Sequence, residues 1–202
     1  MNDAFSSRLI LIGGDIASGK STFAHWFSKT YNIMCLTKDR TKEILADAFG
    51  FKNREENYHL SQVSFKLLYE AAKNALEAKT SLILESNFRQ YELDLLKELA
   101  DQYNAEITSL VFTGDPHVLY KRYLDRIAAG TRHIAHQSVD FKNEAEFAAL
   151  IKKMHDVKYP GRVKILNNTY FDALGNKDVF KEVCIFLIGE ENCNIIETPK
   201  DI

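Results

Sequence analysis

The stretch Arg8-Leu9-Ile10-Leu11-Ile12-Gly13-Gly14-Asp15-Ile16-Ala17-Ser18-Gly19-Lys20-Ser21 decides the fold. The apolar run Leu9–Ile12 stops at Gly13-Gly14 and reads as a buried strand feeding a turn. From Gly14 to Ser21 the residues satisfy G-x-x-x-x-G-K-[ST]. Each fixed position has a task. Gly14 and Gly19 let the backbone curl, so that successive N–H groups from Asp15, Ile16, Ala17 and Ser18 onward point at phosphate oxygens. The helix opening near Lys20 adds the positive end of its dipole. Lys20 neutralises β- and γ-phosphates, Ser21 offers a hydroxyl to Mg²⁺, and Thr22 completes the set of candidate nucleotide-binding residues. Chance alone yields this pattern in roughly one unrelated chain in a hundred. A strand directly before it and a helix directly after it make chance a poor explanation. Asp15 is unusual in an anion cradle, and its side chain is expected to point outward from the loop.

Working outward, Ser21–Lys29 reads as a helix and Asn32–Leu36 as a second strand. Helical patterns follow over Lys38–Phe49 and Glu55–Ala78, where Leu60, Ser64, Leu67, Ala71 and Ala75 recur at helical spacing. Ser81–Leu84 is a third strand, Tyr91–Tyr103 a helix, and Ala105–Thr113 a fourth strand rich in β-favouring residues. Asp115-Pro116 starts a helix that runs to about Ala129 and stops at Gly130. The polar stretch Thr131–Asp140 leads to a helix near Glu144–Val157. Pro160-Gly161 breaks the chain before a fifth strand, Arg162–Leu166, and a last helix, Lys177–Ile188. Short apolar strands alternating with helices imply an α/β fold: a three-layer α/β/α arrangement around a five-stranded parallel sheet. The whole chain, 1–202, is expected to form one such domain, with a small helical lid over approximately 122–142.

The chain has 202 residues and a formal net charge of −2, which argues against a broad, sequence-independent grip on nucleic acid. No apolar run approaches the ~18 residues of a membrane span, and the amino-terminal residues do not read as a signal peptide. Cys35, Cys184 and Cys193 have no metal-ligand spacing and read as buried or free thiols in a reducing cytoplasm. Oligomeric state is left open.

A GTPase would need D-x-x-G and N-K-x-D. Asp172-Ala173-Leu174-Gly175 satisfies the first only after the fifth strand, and Asn176-Lys177-Asp178 lacks the spacer residue, so both read as turns. A kinase instead needs an acceptor base and a cationic lid. Asp39 lies just past the second strand, on the ligand side of an open parallel sheet, where a carboxylate can take a hydroxyl proton. Glu85 ends the third strand, where it would face metal or substrate. Arg126 and Arg132 flank Gly130, a candidate hinge, and would offset charge on a transferring phosphoryl group. Arg122 reads instead as part of a solvated face, partly paired with Asp125. His133 and His136 read as lid or substrate-edge residues, because no further ligand accompanies them at a metal spacing.

From Arg8 to about Leu166 the chain resembles a group of P-loop kinases that includes chloramphenicol phosphotransferase, the zeta toxins and polynucleotide 5′-kinase domains. The motifs that carry the resemblance are Gly14–Ser21, Asp39, Glu85 to Arg89, and Arg122 to Arg132. It implies that Asp39 is the base of a D-x-x-R element whose Arg falls at Lys42, with Arg40 as a nearby alternative. Glu85-Ser86-Asn87-Phe88-Arg89 is similar to the E-x-T-x-R of zeta-type kinases, with Asn87 in place of Thr, and implies acceptor contacts from Glu85, Asn87 and Arg89. Arg132-His133-Ile134-Ala135-His136 is similar to an R-H-P-G-H lid pattern without its Pro and Gly. Asn167-Asn168-Thr169 would lie near the adenine.

The resulting expectation is an ATP- and Mg²⁺-dependent kinase acting on a hydroxyl of an antibiotic-, sugar- or nucleoside-like small molecule. Ser21 and Glu85 are its metal residues, and Lys20, Asp39, Arg126 and Arg132 its catalytic ones. The alternatives are a polynucleotide 5′-hydroxyl kinase, with Lys38, Arg40, Lys42, Lys52 and Arg54 along a groove, or a nucleotide-binding ATPase without a small-molecule acceptor.

Overall fold

Alternation along β1 (Arg8–Gly14) sends Ile10 and Ile12 to one face of a sheet and Leu9 and Leu11 to the other. Both faces must therefore be covered. A computed structural model describes residues 7–130, 132–136, 141–170 and 176–193. The remaining strands are β2 (Met34–Thr37), β3 (Leu82–Glu85), β4 (Glu106–Thr113) and β5 (Arg162–Asn167). All five are parallel, in the order β2-β3-β1-β4-β5.

Seven α-helices lie among the described residues: α1 (Lys20–Tyr31), α2 (Lys38–Phe49), α3 (Arg54–Glu77), α4 (Gln90–Gln102), α5 (Pro116–Ala128), α6 (Glu144–His155) and α7 (Lys177–Ile188). On one face Ile10 and Ile12 pack against Phe23 and Phe27 of α1 and Phe180 and Leu187 of α7. On the other, Leu9, Leu11 and Leu84 pack against Phe65 and Leu68 of α3 and Leu93 and Leu96 of α4. Each such side chain, fully buried, stabilises the fold by roughly 1.5–3 kcal/mol. The result is the three-layer α/β/α fold with a five-stranded parallel sheet. No helix among the described residues is long and apolar enough to cross a membrane.

A third, smaller core joins Leu119 and Tyr123 of α5 to Phe147 and Ile151 of α6, with Ala17 between them. The helix pair beyond β4 thus packs directly on the turn that follows β1. That turn sits where the chain, having gone to one side of β1 for β2 and β3, crosses to the other side for β4. In open parallel sheets this switch point, at the carboxyl ends of the strands, is the ligand crevice.

Several element bounds shift by one or two residues from the sequence reading, and two details stand out. The second strand starts at Met34 rather than Asn32, because Asn32 adopts φ +52° and closes α1 through its N–H to the Ser28 carbonyl. The polar 131–140 connection contains a single 3₁₀ turn, Ile134–His136, among its described residues. Asp172–Gly175, read as a turn, lies outside the described residues, as do 131 and 137–140 of the expected lid.

Candidate active site

Gly14 is the tightest point of the loop after β1. It has φ +112°, and a Cβ there would lie 2.0 Å from the Phe112 carbonyl oxygen. Gly19, at φ +95°, precedes α1, and no side chain caps that helix. The first amides of α1 therefore face the loop, as an anion site needs. Ala17 takes the left-handed conformation too, at φ +61°, and is held there by its packing against α5 and α6. Within the loop, the Asp15 carbonyl accepts from Lys20 Nζ at 2.8 Å and from Ser18 Oγ at 2.7 Å. Asn168 Nδ2 supports it from β5's end by donating to the Ser18 carbonyl at 2.8 Å.

In front of the loop lies a cavity of about 420 Å³. Ile16, Ala17, Lys20 and Ser21 form its loop wall. Asp39 and Glu85 reach it from the ends of β2 and β3, and Arg126 and Arg132 from the α5 side. All four expected catalytic residues thus meet in one space, with Asn87 beside them. Gly14, Asp15, Ser18 and Gly19 of the loop and Thr22 of α1 do not line this cavity.

The charges in the cavity set one another. Glu85 is 4% exposed. Burial raises its pKa to about 7, with Lys20 and a hydrogen bond from Ser21 pulling the other way and Asp39 pushing further up. Burial lowers the Lys20 pKa, opposed by Glu85, Asp39 and Asp15. The folded state therefore holds a proton on Glu85 that the unfolded chain releases at lower pH. That contribution to stability is complete below the ordinary glutamate range and is lost as pH rises through about 7. Glu85→Gln is expected to stabilise the ligand-free protein at pH 8 by up to about 3 kcal/mol and to leave it unchanged at pH 4. Urea unfolding at the two pH values measures this, and equal effects at both would contradict it.

Ser21 and Glu85 line the same cavity, and Ser21 is one of the groups that hold the Glu85 pKa down. Two hard oxygen donors at the mouth of a phosphate loop suit Mg²⁺, which keeps several waters and is carried largely by nucleotide phosphates. The described residues contain no cluster of three His, Cys, Asp or Glu side chains able to cage a metal.

The wall opposite the loop is the 132–136 segment, docked on α2 and α3. The Ala135 carbonyl accepts from Lys42 Nζ at 2.9 Å and from Asn57 Nδ2 at 3.1 Å. His133 Nε2 lies 3.0 Å from Asp47, and His136 Nε2 3.2 Å from Glu43. The other His136 nitrogen is 3.9 Å from Asp39. Arg132 donates to the Tyr123 hydroxyl and lies over its ring. Asp39, Glu43 and Asp47 recur every fourth residue along α2, so they share one face.

Several expected placements are corrected. Arg40 lies outside the cavity, exposed and paired with Glu43 at 3.1 Å. Arg89 also lies outside, because Tyr58 captures its guanidinium through its hydroxyl and ring face. Lys38 is no groove cation: it is buried and paired with the fully buried Glu92. Lys42 is half-buried, and that burial lowers its pKa. Arg122 is not a solvated residue paired with Asp125. Its guanidinium donates to the carbonyls of Asn168 and Thr169 and ties α5 to the end of β5. The Asp15 side chain does turn away from the cradle, but into the protein, where it is fully buried.

Sequence reading missed His155, Tyr159 and Tyr123. Tyr159 packs so closely on the loop that a Cβ at Gly13 would lie 2.1 Å from its hydroxyl oxygen. Tyr123 packs in the smaller core and also lines the cavity. His155 meets Asp15 across 140 residues of chain, with no local signal.

Solved structures share this fold. A protein from Chloroflexus aurantiacus J-10-fl, described as a candidate kinase, is 26% identical, with a TM-score of 0.73 over 83% of this chain and 91% of its own. A sugar kinase from Janibacter sp. HTCC2649 shares the fold at 14% identity, with a TM-score of 0.57 over 94% of this chain and 99% of its own. A chain of the Pnkp1/Rnl/Hen1 RNA repair complex does so at 21% identity and a TM-score of 0.53, over 77% of this chain and 46% of its own. No curated protein matches. The family model described as an AAA domain matches residues 9–149. With that match and a kinase-like P-loop fold around the Gly14–Ser21 cradle, the chain belongs to the AAA domain family AAA_33.

Proposed function

We propose that this protein is an ATP- and Mg²⁺-dependent kinase that phosphorylates a hydroxyl of a small molecule. The observation that carries the reading is the shared cavity. The loop residues Lys20 and Ser21 face Asp39, Arg126 and Arg132 across one space of about 420 Å³.

In the proposed reaction the loop amides and Lys20 bind the triphosphate. Ser21 and Glu85 would hold Mg²⁺, which neutralises charge on β- and γ-oxygens when bound. The acceptor oxygen forms a bond to the γ-phosphorus, the bond from that phosphorus to the β–γ bridging oxygen breaks, and ADP leaves. Asp39 takes the proton of the acceptor hydroxyl. Its side chain is exposed to the cavity, as a base that must meet an incoming substrate requires. Arg126 and Arg132 stabilise the equatorial oxygens of the transferring group. Residues 122–142 act as the lid. The inward turn of Lys38 and the docking of Lys42 on Ala135 leave fewer cations for a polynucleotide track, which favours a small acceptor.

Incubation of the protein with a metabolite pool and γ-labelled ATP tests the reading. The expected result is label in an acid-stable phosphate ester of a small hydroxyl compound. Label on a 5′-hydroxyl oligonucleotide, lost with added salt, would move the acceptor to nucleic acid. Release of labelled phosphate with no labelled product would leave an ATPase.

A further inference from the structure

The second residue of the phosphate cradle is an acid, Asp15. Its main chain does loop work: the N–H donates to the Phe112 carbonyl at 2.8 Å, and the carbonyl receives Lys20 and Ser18. Its carboxylate is fully buried directly behind the cradle. There it accepts the Gly114 N–H at 3.1 Å and lies 2.9 and 3.1 Å from His155 Nε2, at the C-terminus of α6. The groups that face this carboxylate are His155 from α6, Lys20 from α1, Tyr159 from the segment after α6, and the Gly114 amide between β4 and α5.

A bare negative charge behind an anion site repels the ligand through low-dielectric protein. Lys20 cannot neutralise Asp15 and phosphate together, because it also faces Glu85 and Asp39. Among the described residues, the other side chain at this carboxylate that is able to carry a positive charge is His155. Because the His155 side chain is about half exposed, it can exchange a proton with solvent.

We propose that His155 is a positioning residue for the nucleotide: it shares one proton with Asp15, cancels the charge behind the cradle, and ties phosphate affinity to that proton. This rests on reading the loop as a nucleotide site. Burial favours the protonated acid and imidazolium favours the ionised one, so either distribution of the shared proton leaves the pair neutral. Loss of that proton leaves one net negative charge, and ATP binding weakens. The same pair fastens the loop to α6, the helix that follows the 132–141 region.

The test is calorimetric titration of ATP with Mg²⁺ into wild type, His155→Gln, Asp15→Asn and the double variant, from pH 5.5 to 8.5. Referring each affinity to the double variant at the same pH cancels the ionisation of the nucleotide itself. Wild type should match the double variant at low pH and fall about tenfold below it as the shared proton is lost. His155→Gln should move the fall to a different pH, because the proton then rests on Asp15 alone. Asp15→Asn should bind ATP more tightly than wild type at pH 8.5. A role in packing alone predicts a constant ratio across the series and no rescue in the double variant, and that result would overturn the proposal. Should either His155 variant fail to fold, the Asp15→Asn comparison decides, and binding no tighter than wild type at pH 8.5 sinks the idea. Wild type that binds no ATP at any pH would instead refute the nucleotide-site reading.

Discussion

Lys20→Ala lowers phosphoryl transfer by ~10²–10³-fold, the loss expected when one preorganised charge-stabilising donor is removed from a reacting centre. The ammonium is held ready for this work. It is buried, anchored on the Asp15 carbonyl and aimed into the cavity, so no reorganisation is needed when charge develops on the phosphates. The substitution also strips Glu85 of its main counter-charge, since Lys20 is the largest influence holding that carboxyl down. Loss of turnover should therefore come with a further rise of the Glu85 pKa. Steady-state rates at saturating acceptor measure the first effect, and the pH dependence of unfolding measures the second. A variant that keeps wild-type turnover would remove the phosphate cradle from the mechanism.

Asp39→Asn has a comparable expected effect for a different reason. Positioned general bases contribute ~10²–10⁴-fold. Asparagine keeps the shape of aspartate but cannot take a proton, so kcat should fall within that range while ATP binding stays near wild type. That separation matters because Asp39 also acts electrostatically on Lys20 and Glu85. If its role were only to tune those two groups, nucleotide affinity and its pH profile would move and kcat would follow only weakly. Undiminished turnover of the true acceptor by Asp39→Asn would eliminate the base.

The parts of the molecule legible in the sequence are those decided within a few residues. The bounds of α2 and α7 match the expected Lys38–Phe49 and Lys177–Ile188. Their stops are local: Thr37 and Asn176 accept N-terminal amides, and Gly50 and Gly189 close the ends at positive φ. The cradle was legible for the same reason, as eight consecutive residues. What was not legible depends on partners far along the chain. Lys38 and Arg122 both look like surface cations in their own helices. Glu92, 54 residues on, draws the first inward, and the carbonyls of 168–169 capture the second. Arg89 matches a motif by letter, yet Tyr58, 31 residues earlier, decides where its guanidinium goes. Asp15 and His155 carry no pattern at all, because a loop acid and a helix-end histidine are each ordinary until the fold brings them together.

The buried Lys38–Glu92 pair has a consequence for how such a protein can change its preferences. Lys38 opens α2 and is clamped to the start of α4, where Glu92 also accepts the Arg89 N–H. One residue later the helix has turned by about 100°, so the inward clamp is what presents Asp39 outward. The carboxylate rides on a mount whose release would strand an ion in the interior, a change typically costing 3–5 kcal/mol. Among the described residues, the facing wall is held on α2 and α3 by one carbonyl and two imidazoles, and on α5 by Arg132. Adaptation to a differently shaped acceptor therefore has its cheapest route through residues 132–136, with the chemistry at position 39 left in place.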